Sequence, residues 1–89
     1  MTDVITVRYW AAAKAAAGTA VDQLVVDGPI TMAEVVRRAA DLHPGTRLPD
    51  VLAVCSALIG EQPVGKQDPG GLEVPPGSTI EFLPPFAGG

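Results

Sequence analysis

The sequence contains few of the residues on which disulfides, metal sites and membrane segments depend. It has one cysteine and one histidine, so it can build neither an internal disulfide nor a structural zinc site. No apolar run approaches the ~20 residues needed to cross a bilayer, and the first residues lack the pattern of a signal peptide. We therefore expect a cytoplasmic protein that binds no metal and no membrane.

Positive charge is also scarce. Six Lys and Arg residues are scattered along the chain against ten Asp and Glu, which gives a formal charge of −4. Nucleic-acid-binding domains usually carry a basic stripe, so we predict no nucleic-acid partner. A mildly acidic domain suits a basic surface on a partner protein.

The 89 residues are 47% hydrophobic and 18% charged. This composition is typical of a globular chain rather than a disordered one. The length allows one domain with a modest core, which we place at residues 1–83.

Alternating apolar residues predict a first strand at residues 4–10. Successive side chains of a strand point to opposite faces. One face of this stretch is apolar, and the other carries Trp10, the only tryptophan, together with Arg8. The residues of the apolar face are Ile5, Val7 and Tyr9.

Two helices are indicated. The alanine-rich residues 11–17 predict a short helix that Gly18 can end in the left-handed conformation. The main helix begins with a capping box, in which the Thr31 side chain binds the Glu34 amide and the Glu34 side chain binds the Thr31 amide. Its inward apolar residues recur at helical spacing, and a His-Pro-Gly sequence ends it. These inward residues are Met32, Val35, Val36, Ala39 and Leu42.

The remaining stretches complete the predicted fold. Further strands are predicted at residues 21–26, 55–59 and 78–83, with a short edge strand at residues 72–74. Residues 46–54 stay open, with one helical turn conceivable at residues 49–52, and residues 62–71 are mostly loop. The order of elements predicts an α+β fold: a mixed sheet of four to five strands, one main helix packed on one face, and a short helix between the first two strands.

Residues 84–89 follow the last strand and have an unusual composition. Pro84 and Pro85 should run extended, because proline fixes φ near −65°. Gly88 and Gly89 lack a Cβ, so their backbone can enter a narrow slot. At ~3.3 Å per residue the six residues span roughly 20 Å. We predict that they form an extended tail and that the Gly89 carboxylate is the reactive group.

Three stretches together carry a family resemblance: residues 5–13, the helix through His43-Pro44-Gly45, and residues 82–89. The chain resembles the sulfur-carrier proteins of the β-grasp (ubiquitin-like) fold, and most closely the small subunit of molybdopterin synthase. Two positions depart from the family pattern: Ile59 precedes Gly60 where Asn-Gly is common, and Phe86 stands where a smaller aliphatic residue is common.

The resemblance implies a function. A partner enzyme would join the Gly89 carboxylate to AMP from ATP, sulfur would displace AMP, and the resulting thiocarboxylate would donate sulfur to a pterin precursor in molybdenum cofactor biosynthesis. Residues 60–66 have the spacing Gly-x-x-x-x-Gly-Lys, but Gln67 follows where a phosphate-binding loop has Ser or Thr, so ATP would be bound by the activating partner. We therefore expect the chain to bind no cofactor itself and to be non-catalytic alone, with the large synthase subunit supplying the catalytic side chains.

A partner-binding surface is predicted around the tail. Its residues are Trp10, Leu83, Pro84, Pro85, Phe86, Ala87 and Gly88. Exposed apolar patches commonly mark partner surfaces, and Trp10, Leu83 and Phe86 could form one at the root of the tail. The alternative is that Trp10 packs over the alanine-rich helix and is buried.

Other reactive side chains receive structural interpretations. Cys55 is interpreted as a small core residue, and His43 as a residue that suits the helix C-terminus. Lys14 and Lys66 are interpreted as solvated.

Three other functions stay open: a sulfur carrier for thiamine or another pathway, a protein modifier that links Gly89 to lysines as ubiquitin does, and a binding module with an inert end.

Overall fold

The computed structural model of the protein describes residues 2–65, 68 and 70–85. Within these residues it contains three helices and seven strands. In chain order they are β1 (Asp3–Tyr9), α1 (Ala11–Ala17), β2 (Val21–Val26), β3 (Ile30–Thr31), α2 (Met32–Asp41), α3 (Leu48–Val54), β4 (Ser56–Ile59), β5 (Gln62–Pro63), β6 (Glu73–Val74) and β7 (Thr79–Leu83).

Five strands form one mixed sheet in the order β2-β1-β7-β4-β5. The two central strands, β1 and β7, run parallel, and the other neighbours are antiparallel. The strands β3 and β6 form a separate two-stranded sheet. The predicted α+β class, the mixed sheet and the short helix between the first two strands are therefore confirmed.

The core lies between one face of the main sheet and the helices. From β1, the predicted apolar residues Ile5, Val7 and Tyr9 are buried, and Ile80 and Phe82 of β7 lie beside them. The helices cover this face with buried apolar residues of their own: Ala13, Ala17, Met32, Val35, Ala39, Leu48 and Leu52. We call the covered side of the sheet the inner face and the opposite side the outer face.

The main helix α2 begins as predicted but uses its first glutamate differently. The Glu34 amide donates to Thr31 Oγ1 at 3.1 Å, which is the predicted cap. The Glu34 carboxylate accepts hydrogen bonds from Arg37 and Arg38 rather than reaching back to the Thr31 amide. Leu42, predicted to face inward, is 50% exposed, because the helix ends at Asp41 and the chain turns away there.

The short helix α1 matches the prediction at both ends. It covers residues 11–17, and Gly18 adopts φ = 75°, where its amide donates to Lys14 O. A residue with a Cβ rarely adopts this left-handed conformation, so glycine is the natural terminator.

Three segments differ from the prediction. The stretch with at most one expected turn forms the seven-residue helix α3, in which Leu48 and Leu52 share the buried side. Gln62–Pro63, predicted as loop, forms the short strand β5. The predicted edge strand near Val74 exists, but it pairs with β3 of the second sheet instead of extending the main sheet.

None of the helices among the described residues is long and apolar enough to cross a membrane.

Candidate functional site at the end of β7

The predicted tail leaves the main sheet at the end of a central strand. β7 lies between β1 and β4, and its last residue, Leu83, pairs with Ser56 of β4. Pro84 is half-buried and Pro85 is exposed. The chain thus passes from a strand held on both sides to solvent within two residues.

The end that was predicted to be reactive is not described. Phe86, Ala87, Gly88 and Gly89 lie outside the described residues, as does Lys66. The role assigned to Gly89, and the partner contacts assigned to the three residues before it, remain predictions.

On the inner face, two aromatic rings lie beneath the point where the tail begins. Phe82 and Tyr9 are partners in the parallel β1–β7 pair, and each is 2% exposed. Their rings stack with centroids 6.4 Å apart and an interplanar angle of 15°. Offset stacking at this separation is a favourable arrangement for two buried rings. This packing fixes the position of the C-terminal end of the central strand β7.

The Tyr9 hydroxyl belongs to a polar cluster that connects three elements. It donates to Asp22 Oδ2 of β2 at 2.9 Å, and His43 Nε2, beyond the end of α2, contacts the same oxygen. The His43 ring also packs edge-on against the Tyr9 ring, with centroids 6.2 Å apart. Burial, with the neighbouring Asp22 carboxylate, raises the pKa of Tyr9 well above its ordinary value. The hydroxyl therefore stays protonated and acts as a donor.

His43 was interpreted from the sequence as a helix-terminal residue, and this was only part of its role. It does follow the C-cap residue Leu42, and its amide donates to Ala40 O at 3.1 Å. Its side chain, however, ties the end of α2 to Asp22. Sequence reasoning missed this contact because the two residues are 21 positions apart, and no local pattern connects them.

On the outer face, Trp10 lies beside the root of the tail. The residue is 43% exposed, and its amide donates to Phe82 O at 3.2 Å. The indole Nε1 donates to Glu81 Oε1 at 3.0 Å, and the Arg8 guanidinium lies 5.4 Å from the ring centroid, within cation–π range. Of the two positions considered for Trp10, the structure shows the exposed one: the ring is not buried under the alanine-rich helix.

The backbone after Trp10 is unusual. Trp10 is the N-cap residue of α1, and Ala11, the first helical residue, has φ = 50°. A positive φ is rare for a residue with a Cβ and costs of order 1–3 kcal/mol. The chain therefore makes an abrupt turn between β1 and α1, which leaves the indole on the outer face.

More apolar side chains share the outer face. Leu83 is half-buried, and its strand position places it on the side opposite Phe82. On β2, Val21 and Val25 are 39% and 62% exposed. Exposed apolar residues on one face of a sheet are a common feature of protein-binding surfaces.

The described residues hold neither a cluster of metal ligands nor an activated thiol. They contain no group of three His, Cys, Asp or Glu side chains placed to hold a metal ion. Cys55 lies at the junction of α3 and β4 and is half-buried, and its burial raises the pKa of the thiol. A raised pKa lowers the thiolate fraction, so Cys55 is a weak nucleophile, in agreement with a packing role.

Cys55 also borders an apolar groove of about 550 Å³ between α2, α3 and the sheet, lined among others by Met32, Val36, Leu52 and Phe82. Because its wall is mainly apolar, this groove is suited to contact rather than to acid–base chemistry.

Comparison with known proteins identifies the fold. Neither a family model nor a curated protein sequence matches the chain, but solved structures do. Small archaeal modifier protein 1 from Haloferax volcanii has a TM-score of 0.77 at 18% identity, covering 97% of this chain and 99% of that one. The chain has the β-grasp fold.

Two further structures are similar over nearly their whole length. Small archaeal modifier protein 1 from Methanosarcina acetivorans has a TM-score of 0.76 at 19% identity, covering 100% of this chain and 99% of that one. A candidate molybdopterin converting factor subunit 1 from Pyrococcus furiosus has a TM-score of 0.74 at 13% identity, covering 93% and 98%. At these identities the likeness establishes a ubiquitin-like β-grasp architecture, and the function must be argued from the site.

Proposed function

We propose that this chain is a sulfur carrier and serves as the small subunit of a molybdopterin synthase. One observation carries the proposal: the central strand β7 ends at Leu83 and is followed at once by Pro-Pro and, at the last two positions, by Gly-Gly. A rigid start and a side-chain-free end are what a tail needs to enter a narrow active site in a partner. The similarity in fold to a candidate molybdopterin converting factor subunit supports the same role.

The proposed chemistry takes place on the Gly89 carboxylate. A carboxylate is a poor acyl donor, because its oxygen is a bad leaving group. In the proposed first step the carboxylate attacks ATP held by an adenylating partner, which releases pyrophosphate and forms an acyl-AMP anhydride. A donor of sulfide-level sulfur then displaces AMP, and the product is a thiocarboxylate. Its sulfur is a good nucleophile at neutral pH and attacks an electrophilic carbon of a pterin precursor. Water then cleaves the bond between this sulfur and the Gly89 acyl carbon, which restores the Gly89 carboxylate.

The outer face supplies the proposed docking surface for both partners. Trp10 and Leu83 lie at the root of the tail, and Pro84 and Pro85 connect this surface to the reactive end. Binding through a surface next to the tail positions Gly89 without requiring catalytic side chains from this chain. Those side chains, and the ATP site, belong to the large synthase subunit and the activating enzyme in this proposal.

A second candidate function is protein modification. Two of the structures that share the fold are named as small archaeal modifier proteins. The first chemical step would be the same, but a lysine amine would replace sulfur as the nucleophile. Gly89 would then be joined to another protein through an amide bond. The two functions differ in product and can be separated by mass.

Intact-mass spectrometry tests both candidates at once. The chain is incubated with an activating enzyme, ATP and a sulfur source, and a variant lacking Gly89 serves as the matched control. Replacement of one oxygen by sulfur in the full chain alone supports the carrier. Conjugates of higher mass support the modifier, and an unchanged mass contradicts both and leaves an inert binding module.

The protein that co-purifies with the chain tests which sulfur pathway it serves. We expect the chain to co-purify with the large subunit of molybdopterin synthase, and the thiocarboxylated chain to convert the pterin precursor in that complex. Sulfur delivery in a thiamine-forming system, with no association with the large subunit, would assign the chain to the alternative carrier pathway.

A further inference from the structure

The main sheet of the described residues has two edges, and they differ greatly in length. At one edge, β5 consists of Gln62–Pro63 only, and proline has no amide to donate. A short edge that contains proline is poorly suited to pairing with another strand. At the other edge, β2 extends over the six residues Val21–Val26. An edge of this length is a template for another chain unless something covers it.

The register of β2 determines which of its backbone groups face this edge. The Tyr9 amide donates to Ala20 O at 2.9 Å, and the β1–β2 pairing continues in step from there. In an antiparallel pair, alternate residues bond to the neighbour and the residues between them turn their N–H and C=O groups away. The outward groups of β2 are therefore those of Val21, Gln23 and Val25.

These three residues form a self-complementary set. They are symmetric about Gln23, so an antiparallel second copy would place its Val25 opposite Val21 and its Gln23 opposite Gln23. Each facing pair can exchange two hydrogen bonds. Both valines lie on the outer face and are 39% and 62% exposed, so cross-strand valine contacts would form as well. The occupant that best fits this edge is a second copy of this chain.

Side chains of the same molecule already occupy the two ends of the set. Arg38 Nη1 donates to Val25 O at 3.0 Å, and Arg38 Nε donates to Glu34 Oε2 at 2.9 Å, which holds the guanidinium in place. At the other end, Thr19 Oγ1 donates to Val21 O at 3.2 Å and accepts from the Val21 amide at 3.5 Å. Two of the three outward carbonyls, those at the ends of the set, are thus engaged.

We propose that the edge of β2 is a latent dimerisation surface and that Arg38, oriented by Glu34, keeps it closed. Opening it fully requires the loss of two bonds: the one between Arg38 and Val25 O, at 3.0 Å, and the longer one between Thr19 and Val21 O, at 3.2 Å. Of the two, the Arg38 bond is the one that reaches the edge from another element, α2. The closed edge keeps the chain monomeric, so the tail and the outer face stay available to other proteins.

Arg37 provides a matched control for Arg38. It is the adjacent residue on α2, and it also binds Glu34, but its other partner is Asp41 on the same helix rather than a carbonyl of β2. The variants Arg38→Ala and Arg37→Ala therefore remove the same type of side chain from adjacent positions. Arg38→Ala also removes the hydrogen bond to Val25 O of β2, whereas Arg37→Ala leaves it in place.

The test is sedimentation velocity of the full chain over a range of concentrations. We expect Arg38→Ala to dimerise at concentrations at least tenfold below any self-association of the wild type or of Arg37→Ala. Amide hydrogen exchange of the dimer should show new protection at Gln23 and Val25. A monomeric Arg38→Ala with a wild-type circular dichroism spectrum overturns the proposal, as does new protection confined to another strand.

Two additional variants keep the test decisive. Arg38→Met retains the aliphatic stem and a good helix former, so it replaces Arg38→Ala if the latter unfolds. Adding Val25→Lys to either variant places a charge on the edge strand, which disfavours pairing. We expect the double variant to return to a monomer; a dimer of unchanged stability would show that β2 is not the interface and would contradict the proposal.

Discussion

The two faces of the β1–β7 pair differ sharply at the root of the tail. Tyr9 and Phe82 on the inner face are each 2% exposed and stack on one another. Their immediate neighbours in sequence, Trp10 and Leu83, belong to the outer face, where Trp10 is 43% exposed and Leu83 is half-buried. One step along each strand thus separates a packed aromatic pair from a surface open to a partner.

This difference separates two tasks. The inner face fixes the direction in which the chain leaves the sheet, because ring stacking and the Tyr9–Asp22 hydrogen bond hold the ends of both strands. Among the described residues, the outer face of the main sheet contributes no side chain to the buried core, and we propose it as the face that contacts another protein. Substitutions on the inner face should therefore lower stability, and substitutions on the outer face should weaken binding.

The largest effect is expected from a pair of adjacent truncations in β7. Phe82→Ala removes a buried aromatic ring and should lower the free energy of unfolding by about 3–5 kcal/mol. Leu83→Ala, on the half-buried side, should cost well under half as much. Urea-induced unfolding of both variants measures the difference, and equal losses would show that the two faces are packed alike.

The next effect concerns the polar cluster beneath the tail. Asp22→Ala removes the acceptor shared by Tyr9 and His43 and leaves two partly buried donors without it. We expect a loss of about 1–3 kcal/mol. Tyr9→Phe removes one donor and leaves Asp22 bound to His43, so its cost should be smaller, about 1 kcal/mol. Urea titrations of the two variants that give the reverse order would show that the cluster does not depend on Asp22.

On the outer face, Trp10→Ala should act on binding rather than on folding. Removal of an exposed aromatic anchor commonly costs more than about 1 kcal/mol of binding free energy. The measurement is the affinity for the large synthase subunit by calorimetry, with circular dichroism as the control for folding. Unchanged affinity, or loss of the folded spectrum, would each contradict the assignment of Trp10 to a partner surface.

The smallest effect is the pH dependence of the stability that the Tyr9 hydroxyl contributes on the inner face. The pKa of Tyr9 is raised above its ordinary value of 10.0 by burial and by Asp22. The raised pKa means that the hydroxyl contributes its full stabilisation below pH 10 and loses it as the pH rises further. Thermal unfolding between pH 9 and pH 11 should therefore decline more steeply in the wild type than in Tyr9→Phe; parallel curves would contradict the buried, protonated hydroxyl.

Features with a local cause were predictable from the sequence. The alternation of Ile5, Val7 and Tyr9 correctly indicated the buried face of β1, and the bounds of α1 followed from the alanine run and Gly18. The Thr31 cap was also correct, because it depends on residues within one turn.

Features that depend on distant residues were not predictable. The second sheet pairs Ile30 with Val74, and Trp10 binds Glu81, which lies 71 positions away. One local feature was also missed: the Glu34 carboxylate binds Arg37 and Arg38 rather than the predicted Thr31 amide, because two cations lie within reach on the same helix. The exposed position of Trp10 was predictable because successive side chains of a strand alternate between its two faces. The polar contacts that hold its ring were not predictable.

The central claim is that sulfur is carried at Gly89. The most direct measurement is fragmentation mass spectrometry of the C-terminal peptide after incubation with an activating enzyme, ATP and a sulfur source. We predict one oxygen replaced by sulfur at Gly89, and no such product in the variant lacking Gly89, whose thermal unfolding should match that of the wild type. Sulfur found at Cys55, or an equal sulfur load on the shortened chain, would contradict this account.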